Sequence, residues 1–161
     1  MKRSALAVIA GWLAFSVFID PALSAGTAPA NEKEVIKKTI RASIGWALTK
    51  DRPLLESVIS RDDQLFIFNP DAHSTVGWNQ FAKGFDFWMD QRFQMERFEI
   101  RNLRIHVSIS GTVAWWSCIL DELAKWDGRI TSWHDARWTG VIEKRAGQWL
   151  IVQMHFSFAV K

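Results

Sequence analysis

The 161-residue chain has a single cysteine, no tyrosine and only four prolines. A lone Cys118 can form no internal disulfide, so a scaffold knitted by bridges is excluded and the fold must stand on an apolar core. The apolar neighbours of Cys118 read it as a buried structural thiol rather than a nucleophile. No segment repeats itself as solenoid units do. Gly26, Gly77 and Gly84 are isolated, and no glycine-rich turn leads from a strand into a helix to cradle a phosphate. His134 and Asp135 are adjacent, and no further ligand stands at a recognisable spacing from them, so neither a metal nor another cofactor is expected. Charge is nearly balanced at +3, without a basic block or a base-reading module, which argues against a nucleic-acid partner.

The longest apolar run, Ala5 to Ile19, follows the basic start Met1-Lys2-Arg3. Roughly 15 residues make about 22 Å of helix, short of a hydrocarbon core. Asp20-Pro21 ends the run, and the small residues Ala22 to Ala25 suit a cleavage site. Residues 1–25 therefore read as a secretory signal peptide, with export to a periplasm or the extracellular space and no stable membrane insertion after cleavage. The alternative is an uncleaved single-pass anchor. Residues 26–31 form a short linker, and residues 32–160 make one domain of ordinary size. Loss of Lys2, Arg3 and Asp20 would lower the net charge to about +2, too small to steer a partner.

Within that domain, Val35, Ile36, Ile40, Ile44 and Leu48 recur at helical spacing and predict a helix over Glu32–Thr49. Asp51 can cap a second helix with Pro53 in its first turn. Leu65–Phe68 and Thr75–Val76 read as short strands flanking Asn69-Pro70-Asp71. A third helix is expected over about Asn79–Met89, weakened at Gly84. Four long β-type runs follow, Phe98–Ile109, Thr112–Trp126, Arg129–Lys144 and Gln148–Val160, separated by Ser110-Gly111, Asp127-Gly128 and Ala146-Gly147. Strands this long twist, so the expected fold is α+β: a strongly curved antiparallel sheet, cone-shaped, wrapped around three N-terminal helices. Such a cone encloses a hollow.

The order of several short motifs resembles the SnoaL-like domains. These belong to a superfamily of cone-shaped folds that also holds ketosteroid isomerase, nuclear transport factor and the calcium/calmodulin kinase association domain. The matching residues are Arg137-x-Thr139, the Gly147-x-Trp149 turn, His155-x-Ser157, Val76-Gly77 followed by Phe81, and the hairpin Gly111-Thr112-Val113-Ala114. The resemblance implies an isomerase, cyclase or dehydratase without cofactor, or a noncatalytic binding or assembly module that dimerises through its outer sheet face. The isomerase branch uses a tyrosine to stabilise an enolate oxygen, and this chain has none. Cyclases working through an aspartate remain compatible.

Candidate site residues come from strand alternation. Trp149, Ile151, Gln153, His155 and Ser157 are expected on one face of the last strand, and Leu150, Val152, Met154 and Phe156 on the other. Arg137 and Thr139 of the neighbouring strand fall beside Gln153, His155 and Ser157 in a polar patch. That patch is either the outer face, suited to a homodimer, or a site where His155 moves a proton and Arg137 grips an anion. Asp121-Glu122 interrupt an aromatic run, and only one of them can point inward without a bulge. Asp121 is the candidate base. His134 shares parity with Trp138 and is the third candidate for proton transfer. Trp46, Phe85, Trp88, Trp116, Trp138, Met154 and Phe156 are expected to line a pocket for a small apolar or aromatic ligand.

Overall fold

The computed structural model describes residues 30–160. The expected signal peptide and most of the linker lie outside them. Helix α1 (Ala30–Gly45) buries Ile36 and Ile40 completely and continues into a single 3-10 turn, Trp46–Leu48. Val35 and Leu48, the outer members of the expected stripe, stay exposed. In α2 (Arg52–Glu56) the Asp51 carboxylate accepts from the Leu54 amide at 3.0 Å, and Pro53 sits in the first turn where its missing N–H costs nothing. Next come β1 (Phe66–Phe68) and β2 (Ser74–Val76), which pair antiparallel.

The expected third helix is two short ones, α3 (Gly77–Ala82) and α4 (Phe85–Trp88), parted at Lys83-Gly84. A methyl group on Gly84 would lie 2.5 Å from the Trp88 ring, so the glycine lets that indole fold back over the break. The remaining strands are β3 (Phe93–Val107), β4 (Val113–Trp126), β5 (Arg129–Ile130), β6 (Trp133–Arg145) and β7 (Gln148–Ser157). The single run expected over Arg129–Lys144 is thus divided between β5 and β6. Asp127-Gly128 and Ala146-Gly147 have positive φ at both residues, as two-residue hairpin turns require.

The sheet order is β2-β1-β7-β6-β4-β3, with β5 also on β4. All pairs are antiparallel except β1–β7, which is parallel, so the expected antiparallel sheet is in fact mixed. The chain leaving α2 runs alongside β7 from Ile59 onward, with Ser60 N–H donating to the Ile151 carbonyl at 2.8 Å. With β1 paired on its other side, β7 lies inside the sheet rather than at its edge.

Extra residues at four points of the ladders bend the long strands into the cone: near Glu96 and Asn102 in β3, at His134-Asp135 in β6 and at Val152 in β7. Each reverses the in-and-out alternation beyond it. The β7 bulge overturns the expected faces of the last strand. Trp149 and Ile151 join Met154 and Phe156 in the core, whereas Gln153, His155 and Ser157 remain outside.

The bulge in β6 is pinned from the convex side. Asp121 accepts the Asp135 amide hydrogen at 2.8 Å, and Arg101 bridges Asp121 and Asp135 at 2.6 Å each. Asp135 itself has φ +55, a backbone state this local hydrogen bonding supports.

Candidate functional site

Between the helices and the concave side of the sheet lies a cavity of about 690 Å³. One wall is helical: Ile44, Trp46 and Ala47 from α1 and its 3-10 turn, and Phe81, Phe87 and Trp88 from α3 and α4. The opposite wall comes from Phe93 and Met95 on β3, Trp133 on β6, and Met154 and Phe156 on β7. Ile67, Asn69 and Thr75 contribute from the β1–β2 hairpin. The aromatic rings brace one another. Trp46 meets Phe85 and Trp88 edge to face, and Trp133 meets Phe156 the same way. Such bracing fixes the cavity's shape before any ligand arrives.

One carboxyl group enters this apolar enclosure. Glu122 lies on the inward parity of β4 with Ala114, Trp116, Cys118 and Leu120, and its backbone neighbours across the sheet are Phe98 on β3 and Trp133 on β6. Among the described residues its side chain has no hydrogen-bonding or ionic partner. Burial alone therefore acts on it and raises its pKa from an ordinary 4.5 to about 7. A carboxyl in that state exchanges its proton near neutrality, as a general acid or base must.

The residues singled out in the sequence fall in three places. Trp46, Trp88, Met154 and Phe156 face the cavity. Phe85, Trp116 and Trp138 are buried beside it rather than on its wall: Trp138 stacks on Phe156, and Trp116 meets Trp138 edge-on. The proton-transfer candidates lie outside. Asp121 is on the convex face, where the guanidinium of Arg101 holds its carboxyl below the usual range. The β6 bulge sets two residues, His134 and Asp135, against one on β4, so His134 loses the parity it would share with Trp138 and is exposed. His155 is exposed on the convex side opposite Thr139 and edge-on to Phe68. Asp121, His134 and His155 are thus corrected as cavity groups.

The polar patch does assemble on the convex face, with Arg137 opposite Ser157, Thr139 opposite His155 and Val141 opposite Gln153. Of the adjacent pair Asp121-Glu122, the member that points inward is Glu122. Shared parity with Trp116 and Leu120 was the signal that favours the glutamate. Lys83 and Phe87, also on the cavity wall, gave no such signal.

The SnoaL-like domain model matches residues 36–161, most of the chain. The chain belongs to the SnoaL-like domain family. Solved structures of the same fold include an NTF2-like protein of unknown function from Pseudomonas putida KT2440. It has 18% identity and a TM-score of 0.65, with 84% of this chain and 92% of that one covered. A candidate dehydratase of the NTF2-like family from Streptomyces avermitilis has 14% identity and a TM-score of 0.66, over 81% and 98%. The association domain of the C. elegans kinase CaMKII has 18% identity and a TM-score of 0.59, over 80% and 96%. No curated protein has significant similarity to this chain.

At these identities the SnoaL-like kinship establishes the α+β cone, and activity has to be argued from the site. Among the described residues no cluster of three His, Cys, Asp or Glu side chains could hold a metal ion, and no helix is long and apolar enough to cross a membrane.

Proposed function

We propose that this SnoaL-like domain binds a small apolar or aromatic compound in its cavity, and that Glu122 moves a proton on it. The observation that carries this reading is the unpartnered carboxyl on an aromatic wall, poised near neutrality by burial. As a base, the ionised carboxylate would lift a proton from carbon next to a carbonyl; as an acid, it would return that proton at another atom of the same substrate. The net result is isomerisation. If a hydroxide leaves instead of the proton returning to carbon, the same residue supports dehydration, and an internal carbonyl attacked by the carbanion gives cyclisation.

Proton exchange is the direct test. Aryl ketones incubated with the protein in deuterium oxide should gain deuterium at the α carbon, as read by NMR, and Glu122→Gln should abolish the gain. Exchange that persists in the folded variant removes Glu122 as the base. Saturable quenching of tryptophan fluorescence in both proteins would show that the cavity still binds.

A second reading concerns assembly. Trp115 and Phe68 are about half exposed on the convex face, and Trp115 stacks on His106. Facing aromatic rows of two copies would bury these rings, which supports a homodimer through the outer sheet. Sedimentation should give twice the monomer mass, with Trp115→Glu shifting it to the monomer; a monomeric parent chain refutes the pairing. Export, supported by the basic start and short apolar run of residues 1–25, predicts a secreted or periplasmic product beginning near Gly26. N-terminal sequencing showing Met1 intact on such a product would refute cleavage.

A further inference from the structure

Among the described residues, Lys83 is the one residue on the cavity wall, apart from Glu122, with an ionisable side chain. It caps the C-terminal end of α3 and is exposed, whereas Glu122 sits half-buried on the sheet. Among the described residues the Lys83 ammonium has neither an ion pair nor a hydrogen-bond acceptor. Lys83 therefore marks the mouth of the cavity and Glu122 its inner wall.

Other polar groups on the wall sharpen the contrast. Gln80 is occupied: its carbonyl oxygen accepts the Val76 amide at 2.8 Å and its amide donates to the Ser74 carbonyl. Asn69 donates to the Thr75 hydroxyl oxygen at 3.1 Å, which leaves the Thr75 hydroxyl hydrogen free to donate elsewhere. The unspent groups on this wall include the Lys83 cation and the Thr75 hydroxyl donor, which together suit an oxyanion, beside the neutral Asn69 amide oxygen.

We propose that the ligand is an organic anion, a carboxylate on an aryl or alkyl body, held with its charged group against Lys83 and Thr75 and its apolar body running inward to Glu122. This rests on the reading of the cavity as a ligand site. The charges also fix one orientation, because the reverse would bring the ligand's carboxylate against Glu122 in the water-poor interior. In the bound pose, the carbon whose proton is moved lies remote from the ligand's acid group.

The test uses three compounds with one body, 4-phenylbutanoate, 4-phenylbutanamide and 4-phenylbutylamine, titrated against the tryptophan fluorescence of the parent chain, Lys83→Gln and Lys83→Arg. The carboxylate should bind on the order of five- to tenfold more tightly than the amide, as a partly exposed charge-assisted contact allows. The amine should bind most weakly. Lys83→Gln should erase the preference of carboxylate over amide, and Lys83→Arg should keep it. Equal binding of acid and amide, a preference that survives Lys83→Gln, or tightest binding of the amine would each overturn the proposal while leaving the ligand cavity intact. Failure of all three compounds to quench saturably would overturn the ligand-site reading and this proposal with it.

Discussion

Ionisation of Glu122 should make this fold less stable as pH rises from about 4.5 to about 7, the reverse of the usual carboxylate effect. In the unfolded chain the carboxyl ionises near its ordinary 4.5, whereas in the folded chain it holds its proton to about 7. Between those values the native state binds more protons than the unfolded state, so unfolding free energy falls with increasing pH and levels off above the folded value. The interval is worth about 3 kcal/mol at roughly 1.4 kcal/mol per unit of acidity. That is a sizeable share of the total stability of a domain this size. Glu122→Gln keeps the shape and removes the titration. The variant should match the parent near pH 4.5 and exceed it by up to about 3 kcal/mol at pH 8. Urea unfolding of both proteins at intervals across this range measures the difference directly. A gap that stays constant with pH would refute the claim that Glu122 is a neutral, desolvated acid in the folded state, and the proton-transfer reading would go with it.

Three other outcomes follow from the same packing. Gly140→Ala should cost about 1–3 kcal/mol in urea unfolding, because its methyl group would press on the Trp116 ring and lie 2.5 Å from the Gln153 carbonyl oxygen; an unchanged midpoint would refute that contact. Asp121→Asn weakens the link through Arg101 to the Asp135 bulge and should cost about 1 kcal/mol, while deuterium exchange into aryl ketones continues; loss of exchange with intact fold would return Asp121 to the reaction. His155→Ala should leave cavity binding unchanged by fluorescence titration, and weakened binding would contradict its place on the convex face.

Composition and periodicity determined the kind of molecule this is. One helix with Ile36 and Ile40 on its buried stripe, a capped turn at Asp51 and long strands joined at Asp127-Gly128 and Ala146-Gly147 are local signals, since they depend on neighbours within a few residues. The aromatic lining was half legible for a similar reason: a buried ring is recognisable in sequence, but whether it faces a cavity or another ring is not. Trp88 and Trp138 illustrate the difference.

Only the tertiary structure decided which side chains point inward. A bulge adds one residue to one strand, and its position is set by the partner strand and by contacts such as those of Arg101, Asp121 and Asp135, far apart in the chain. One such residue sent His134 outward, and another brought Trp149 and Ile151 into the core. Glu122 kept its parity and so met Phe98 and Trp133 across the ladders. The chemistry of this carboxyl belongs to neither its identity nor its sequence neighbours. It comes from the water that three strands and a set of helices remove from around it.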